Sequence, residues 1–389
     1  MNKMTFALLA FASVAVPAIA AAQTKPLVVA HRGASAYRPE HTLAAYELAI
    51  DQGADYVEPD LVSTKDGVLI ARHENAIGGT TDVGLRAEFA DRRTTKVIDG
   101  VTFANDWFTE DFTLEELKTL RAVERIPQLR PGNTAYNGQF EVPTLQEVID
   151  LVKRKEVETG RTIGIIPETK HPSYFDSINL SLEEPLLQVL NANGYTGAGD
   201  QVIIQSFEVG NLMQLAGVTD IRLVQLTGSL NQRPYDFVIS GDQRTYGDLL
   251  TPTGLEFIND YAALIGPEKN AIIPRDLAGF LLAPTSLVAD AHAAGLLVTP
   301  YTFRPENFFL PADFRIGNDP TAYGDYEAEL LAFLRTGIDG FFIDAPDLGR
   351  AVVDRFAAVP EPATWAMMIG GMGMIGGAMR RRRVRVTFA

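Results

Sequence analysis

The sequence predicts a (β/α)₈ TIM barrel, and two observations support that prediction. Short apolar runs typical of β-strands alternate with amphipathic runs typical of helices, which is the pattern of βα units around a parallel sheet. Charged residues and histidines directly follow several of the strand-like runs, and a barrel places its chemistry at the carboxyl ends of its strands. A doubly wound open sheet has the same alternation and is the alternative.

The runs predicted as strands are 27–31, 55–60, 68–72, 163–168, 202–206, 221–226, 296–300 and 339–343. A weaker strand candidate, 271–273, lies just before Pro274. Predicted helices cover 42–52, 144–155, 183–193, 208–216, 284–294, 325–336 and 347–356. The turn Lys65-Asp66-Gly67 is too short for a crossover helix, so the second and third strands are predicted to form a hairpin.

Two long stretches interrupt this alternation. Residues 78–143 contain many Arg, Asp, Thr and Phe residues without a βα period, so we interpret them as an inserted subdomain or lid. Residues 227–270 are rich in Gly, Asp and Tyr, and we interpret them as a second insertion. Loops of this length are uncommon inside compact domains and are often functional.

The start of the chain is predicted to be a targeting segment. Lys3, an apolar run over 5–16 and small residues as far as Ala22 are typical of a secretory signal peptide covering 1–22. A permanent anchor helix is the alternative, but Pro17 interrupts a run shorter than the roughly 20 residues that a membrane span needs. We therefore assign the barrel to 23–358 of an exported protein.

The end of the chain, 359–389, has a different order of features. Pro360-Glu361-Pro362 is followed by an apolar stretch to Met379 and then by four consecutive arginines. An apolar segment of about 17 residues closed by a basic cluster fits a short membrane span with cytoplasmic arginines. An ordinary C-terminal anchor is one interpretation.

The order and spacing of these features resemble the PEP-CTERM sorting tail of exported bacterial proteins. That resemblance implies an apolar sorting helix, processing by an exosortase-type enzyme, and transient membrane contact through this segment. It also implies a mature protein in the periplasm, at the cell surface or in the extracellular matrix of a Gram-negative-type bacterium.

Charge and composition exclude one class of partner. Removing Lys3, the five tail arginines and Glu361 lowers the formal net charge from −15 to −20. Nucleic-acid binding depends on neutralising phosphates with Lys and Arg, so a body this acidic argues against it. The chain has no cysteine, so burial in one large domain has to supply its stability without disulfides.

Two of the five histidines, His31 and His73, follow strand-like runs. Imidazole titrates near neutral pH, so such a pair can divide the work of general base and general acid, and phosphodiester hydrolysis needs both. His41 is predicted to cap a helix or support a loop, and His292 to have a structural role. His171 either lines the mouth of the cleft or has no role.

Three carboxylates are predicted to bind a divalent cation. Glu58 and Asp60 are two residues apart in an extended segment, so their side chains emerge on one face. Glu168 ends another strand and can supply a third ligand across the mouth of the barrel. A set of oxygen ligands without cysteine favours Ca²⁺ or Mg²⁺, and the residues do not distinguish the two.

Two cations accompany these groups. Arg32 follows His31, and a guanidinium can bind two phosphate oxygens at once. Lys170 lies two residues after Glu168, on the same face, where it can meet phosphate oxygens or tune that carboxylate. The residues together predict a metal-assisted phosphodiester hydrolase.

The same residues lie in motifs that resemble the glycerophosphodiester phosphodiesterase family over about 27–356. The matching segments are His31-Arg32-Gly33, Pro39-Glu40-His41-Thr42, 53–62, Thr64-Lys65-Asp66-Gly67, His73-Glu74, Pro167-Glu168-Thr169-Lys170, Gln205-Ser206-Phe207, 300–304 and 339–346. The long insertion after His73 is similar to that of the periplasmic bacterial subgroup. The chain departs at His41, where many members have Asn, and at Glu74, where many have Asp.

The resemblance implies a (β/α)₈ barrel that hydrolyses glycerophosphodiesters to an alcohol and sn-glycerol 3-phosphate with a divalent cation. It implies acid and base roles for His31 and His73, and metal binding by Glu58, Asp60 and Glu168. The substrate would meet Arg32, Lys170, Gln205 and Tyr301. Two alternatives remain open: a lysophospholipase D-like enzyme that forms a cyclic phosphate, and a surface-matrix barrel without turnover.

Overall fold

Eight parallel strands close into a ring with helices outside it, and the predicted (β/α)₈ barrel is therefore confirmed. The structure is a computed structural model that describes residues 25–358. The predicted signal peptide and sorting tail lie outside the described residues.

The strands are β1 (Leu27–His31), β2 (Tyr56–Glu58), β3 (Asp60–Ser63), β4 (Leu69–Ala71), β5 (Thr94–Ile98), β6 (Val101–Asp106), β7 (Gly164–Ile165), β8 (Glu168–Thr169), β9 (Ile203–Ser206), β10 (Arg222–Thr227), β11 (Leu264–Pro267), β12 (Leu297–Val298) and β13 (Gly340–Ile343). The helices are α1 (Leu43–Asp51), α2 (Leu114–Leu117), α3 (Leu145–Thr159), α4 (Pro172–Ser177), α5 (Glu183–Ala192), α6 (Val209–Ala216), α7 (Tyr235–Ser240), α8 (Tyr246–Leu249), α9 (Pro252–Asn259), α10 (Leu287–Ala293), α11 (Tyr326–Leu334) and α12 (Pro346–Ala358).

Backbone pairing follows the ring in order. β1 pairs with β13 on one side and with β2 on the other, and β2 pairs with β7. Beyond them, β3 continues β2 and pairs with β8, which continues β7. β9, β10, β11 and β12 then follow β8 around the ring in that order. The N–H of Phe342 donates to the carbonyl of Pro300 at 3.0 Å, which joins the β12 region to β13. Pro59 separates β2 from β3 and Pro167 separates β7 from β8, because proline has no N–H for the ladder. Each of these two pairs continues as one barrel strand.

Two strand assignments are wrong. The run 68–72 forms β4, which pairs antiparallel with β3, so the predicted hairpin is confirmed but this run is not a barrel strand. The barrel strand missing from the prediction is β11, the sixth of the eight in chain order, which lies inside the predicted second insertion together with α7, α8 and α9. The weaker candidate 271–273 is not a strand, and Lys269–Ala271 forms a 3₁₀ turn.

The missed strand ends in Gly266-Pro267, a pair that indicates a turn when read from sequence. Packing explains the glycine, because a Cβ at Gly266 would lie 2.5 Å from the Leu226 side chain. The last part of 227–270 therefore belongs to the barrel. The helix predictions hold more closely, and all seven match observed helices with end points shifted by at most four residues.

The core has two apolar layers separated by the ring. The larger layer lies between the strands and the helices, and the smaller one fills the barrel interior with Val29, Tyr56, Ile166, Ile203 and Phe342 among its members. Interior and exterior positions alternate along each strand. Gly164 makes room for the interior ring of Tyr56, since a Cβ there would lie 1.9 Å from it.

The predicted insertion 78–143 carries the antiparallel ribbon β5–β6, α2 and several 3₁₀ turns. Ile98, at the end of β5, is fully buried in a small apolar cluster with Ala76 and Phe108. Whether this segment moves as a lid stays a prediction. Within residues 25–358, no helix is both long enough and apolar enough to cross a membrane.

Candidate active site

A cavity of 970 Å³ opens at the carboxyl ends of the barrel strands. All the predicted site residues line it: His31, Arg32, Glu58, Asp60, His73, Glu168, Lys170, Gln205 and Tyr301. Residues scattered over more than half of the chain thus share one cavity. Their individual roles stay predictions.

Strand alternation places these side chains in the cavity. Several lie two positions beyond an apolar residue of the barrel interior: His31 follows Val29, Glu58 follows Tyr56, Glu168 follows Ile166 and Gln205 follows Ile203. Because alternate side chains share a face, each strand carries its interior face from the apolar core into the mouth of the barrel.

Glu58, Asp60 and Glu168 form the candidate metal site. One carboxylate oxygen from each lies within 4.8 Å of the others, and all three residues are buried. Strand pairing sets Asp60 directly opposite Glu168, and Glu58 ends β2 beside His31. Oδ1 of Asp60 is buried without a hydrogen-bond partner among the described residues, as expected for an atom reserved for a ligand. These residues fit a hard divalent cation.

The electrostatics of the three carboxylates support this assignment. Burial and the neighbouring Asp60 hold the pKa of Glu58 well above its usual range. Burial raises the pKa of Glu168 to about 8, despite the opposing charge of Lys170, whose Nζ lies 2.8 Å from it. Burial would also raise the pKa of Asp60, but Lys170 and the hydrogen bond from His41 hold it well below its usual range. Without a cation, protons on Glu58 and Glu168 therefore offset the negative charge of the three carboxyl groups.

Binding of a divalent cation, Ca²⁺ or Mg²⁺, near neutral pH is expected to release protons, because the cation binds the ionised forms of Glu58 and Glu168. Apparent calcium affinity should therefore rise as the pH approaches 8, the pKa of Glu168. Titration calorimetry in buffers of different ionisation enthalpy measures the protons released. A calcium affinity that does not change with pH would contradict this prediction.

Each of the two candidate catalytic histidines has a carboxylate beside its Nδ1 atom. Nδ1 of His31 lies 2.6 Å from Oδ1 of Asp344, and Nδ1 of His73 lies 3.0 Å from Oε1 of Glu74. Burial lowers the pKa of His31 to about 4 and that of His73 to about 3, so both rings are neutral at pH 7. A carboxylate at Nδ1 favours the tautomer protonated there. The Nε2 atom of each ring is then free to exchange a proton with a substrate.

Asp344 is itself held by two arginines. Nη2 of Arg130 donates to its Oδ2 at 2.6 Å, and Nε of Arg304 donates to the same oxygen at 2.9 Å. Burial would raise the pKa of Asp344, but these two cations hold it well below its usual range. Arg130 comes from the insertion and also donates to Glu306, so the insertion contributes to the support of His31.

Arg32 and Lys170, the two residues predicted to bind phosphate, both pair with carboxylates of the protein. The backbone N–H of Arg32 donates to Glu58 at 2.8 Å, while its guanidinium donates to Glu40 and lies 3.4 Å from Asp60. This residue has a φ of 60°, and Gly33 follows with a φ of 85°. A Cβ at Gly33 would lie 2.7 Å from the backbone of Ala45, so the turn after β1 requires glycine.

Gln205 and Tyr301 line the cavity but also contact protein groups. Nε2 of Gln205 donates to Oε1 of Glu58 at 3.0 Å, so this amide orients a candidate metal ligand. The hydroxyl of Tyr301 donates to the carbonyl of Thr227 at 3.0 Å, and its ring packs edge-on against Phe207. Their predicted contacts with substrate stay predictions.

Sequence reasoning missed several supporting residues. His41 is fully buried, its Nε2–H donates to Oδ2 of Asp60 at 2.9 Å, and its Nδ1 lies 2.7 Å from the hydroxyl of Tyr46, contacts that go beyond the predicted capping or loop role. Asp344 is a second such residue; it directly follows β13, two residues beyond Phe342, and that spacing could have identified it. His171 does line the cavity, between Glu74 and Asp99.

Comparison with known proteins agrees with this arrangement. Residues 31–348 match the Glycerophosphoryl diester phosphodiesterase family, and residues 358–383 match the PEP-CTERM protein-sorting motif. The chain is 35% identical over 333 residues to glycerophosphodiester phosphodiesterase GDPD6 of Arabidopsis thaliana, covering 82% of this chain and 84% of that protein.

Solved structures show the same fold. A protein of Silicibacter pomeroyi matches with a TM-score of 0.59 at 18% identity, covering 85% of this chain and 94% of that one. A phosphodiesterase of Oleispira antarctica, in complex with the product sn-glycerol-3-phosphate, matches with a TM-score of 0.52 at 20% identity, covering 85% and 97%. The family match spans the barrel and the strand-end motifs that line its cavity. The chain therefore belongs to the glycerophosphoryl diester phosphodiesterase family.

Proposed function

We propose that this chain is an exported phosphodiesterase that uses a divalent cation and a histidine pair to cleave glycerophosphodiesters to an alcohol and sn-glycerol 3-phosphate. Its family and its relatives support glycerophosphodiester hydrolysis. One observation carries the proposed mechanism: three buried carboxylates within 4.8 Å of one another share a cavity with His31 and His73.

The histidines handle the protons of the reaction. One Nε2 takes a proton from the attacking water as the water oxygen forms a bond to phosphorus. The other ring enters this step as an imidazolium, a state that the negative charge of the bound phosphate favours, and its Nε2–H passes to the alcohol oxygen as the bond between that oxygen and phosphorus breaks. Asp344 and Glu74 orient the rings through Nδ1 and favour their protonated forms when a proton arrives.

Charge on the phosphoryl oxygens needs compensation, because the body of the protein is acidic. Lys170 and Arg32 are the cations of the predicted set that face the cavity, and both are nine-tenths buried. When bound by Glu58, Asp60 and Glu168, Ca²⁺ or Mg²⁺ would supply further stabilisation of negative charge on those oxygens.

Removal of divalent cations is expected to abolish release of glycerol 3-phosphate from glycerophosphocholine, because the phosphoryl oxygens would lose the cation that offsets their negative charge. Product is measured by phosphorus NMR with EDTA, and again after Ca²⁺ or Mg²⁺ is restored. Full activity in excess EDTA would contradict the metal-dependent mechanism.

The same spectra separate the alternatives. An open-chain phosphomonoester is the expected product, and an accumulating cyclic phosphate would favour the lysophospholipase D-like reaction. Absence of turnover on a panel of glycerophosphodiesters with either cation would favour the surface-matrix protein. Comparing Ca²⁺ with Mg²⁺ on that panel also identifies the preferred ion and alcohol.

The sorting motif at 358–383 supports an exported protein. We extend this to processing of the tail by an exosortase-type enzyme after transient membrane contact, and to a final location in the periplasm, at the surface or in the matrix. Fractionation of cells carrying an epitope inserted before Pro360 tests this assignment. Retention of the tagged protein in the cytoplasm would contradict it.

A further inference from the structure

The ribbon β5–β6 of the insertion ends in a two-residue turn at the mouth of the cavity. Ile98 pairs with Val101, and the residues between them, Asp99 and Gly100, have φ values of 49° and 78°. Two positive φ angles define the tight hairpin turn that Asp-Gly and Asn-Gly favour. Since Ile98 is fully buried, the tip of the ribbon is anchored in the protein.

The side chain of Asp99 begins a chain of contacts that reaches His73. Its Oδ2 lies 2.6 Å from Nδ1 of His171, and Nε2 of His171 lies 2.9 Å from Oε2 of Glu74. The other oxygen of Glu74 lies 3.0 Å from Nδ1 of His73. All four residues line the active-site cavity. The turn alone does not require these contacts, because Asn forms the same turn.

The series of contacts from Asp99 to His73 has a definite charge pattern. Both ring nitrogens of His171 face carboxylates, so both act as donors when the ring is an imidazolium. Burial would lower the pKa of His171, but its hydrogen bonds with Asp99 and Glu74 raise it to about 9. Burial would raise the pKa of Glu74, but its bonds with His171 and His73 lower it. Glu74 therefore stays ionised and accepts the Nδ1–H of His73.

We propose that Asp99 and His171 are positioning residues that hold Glu74 against Nδ1 of His73, so that Nε2 of His73 faces the substrate. This inference rests on the acid–base role proposed above for His73. It makes the tip of the insertion a structural component of the active site, in addition to any role as a lid.

The Asp99→Asn variant tests the proposal. Asparagine preserves the turn, while its neutral amide cannot hold His171 as a doubly donating cation. We expect kcat on glycerophosphocholine at saturating Ca²⁺ to fall about tenfold with little change in KM, a typical effect of removing an outer orienting partner. His171→Asn should have a similar effect, because Asn also tolerates the positive φ of 53° found there.

Two further measurements separate positioning from general structural support. Long-range proton–nitrogen NMR of the imidazoles should show His73 gaining the Nε2–H tautomer in Asp99→Asn. Asp99→Asn should cause no further loss in a His73→Ala background, because residues that act through one group are non-additive. Asp111→Asn is the matched control, since Asp111 is in the same insertion and pairs with Lys96 instead.

Unchanged kcat and unchanged His73 signals in both Asp99→Asn and His171→Asn would overturn the inference. Failure of the proposed function has a different result, namely wild-type turnover in His73→Ala. The NMR measurement tests the positioning in either case, because it does not depend on turnover.

Discussion

Replacing His31 or His73 by alanine is expected to lower kcat by about 10²–10⁴-fold, the range typical of a positioned acid or base. Neither ring belongs to the acidic triad, so divalent-cation binding should persist. In His31→Ala, Asp344 still accepts from Arg130 and Arg304, so no buried carboxylate is left unpaired. Steady-state kinetics with glycerophosphocholine at saturating Ca²⁺ measure the effect.

His292→Ala is the matched control, because His292 bonds to Asp339 and is not among the residues that line the cavity. It should keep wild-type kcat. If His31→Ala or His73→Ala behaved like this control, that histidine would have no part in the chemistry.

An activated substrate can then assign the two roles. A p-nitrophenyl ester has a leaving group that departs without protonation, so loss of the general acid should matter much less on it. We expect one of the two variants to recover most of its activity on this ester, and the other to stay impaired. The variant that recovers identifies the acid.

Glu168→Gln is expected to remove divalent-cation binding while leaving the fold intact. Burial raises the pKa of Glu168 to about 8, so at pH 7 its side chain is mostly protonated without a cation, and glutamine has nearly the same shape. The amide oxygen of the glutamine can still accept from Lys170, whose Nζ lies 2.8 Å from Oε1 of Glu168 in the wild-type protein. Calcium affinity should fall more than about 100-fold, since loss of an outer partner alone typically costs 10–100-fold. The thermal stabilisation by calcium should disappear with it.

Glu208→Gln provides the comparison for this variant. Glu208 is another buried carboxyl of the same cavity, and burial also raises its pKa to about 8. It bonds to Ser173 and is not part of the triad. Differential scanning fluorimetry with and without Ca²⁺ should show a normal upward shift in Tm for Glu208→Gln and none for Glu168→Gln. Equal shifts would exclude Glu168 from the metal site.

Most of the barrel could be predicted because its strands are apolar runs with clear ends and its helices are amphipathic. The prediction failed where local pattern and tertiary context disagree. Gly266-Pro267 indicates a turn in sequence, yet the glycine serves close packing against Leu226 in β11. The run 68–72 is as apolar as a barrel strand, but its five-residue connection to β3 forces an antiparallel pairing.

The site residues were predictable for a related reason. A histidine or carboxylate at a strand end lies two positions beyond an interior residue, as His31 lies beyond Val29 and Glu58 beyond Tyr56. The same rule would have found Asp344 beyond Phe342. His41 and His171 do not follow it, because each lies in a loop with a positive φ, where alternation does not set the direction of a side chain.

The amino-acid sequence by itself determined the barrel, the reactive groups at its mouth and the class of metal they suit, because those properties depend on residue type and on a period of two along a strand. Only the tertiary structure decided which groups pair. Asp344 meets His31 across 313 positions, and Asp99 meets His171 across 72. Such contacts depend on ring closure and on where an insertion folds back, and neither is encoded in local periodicity.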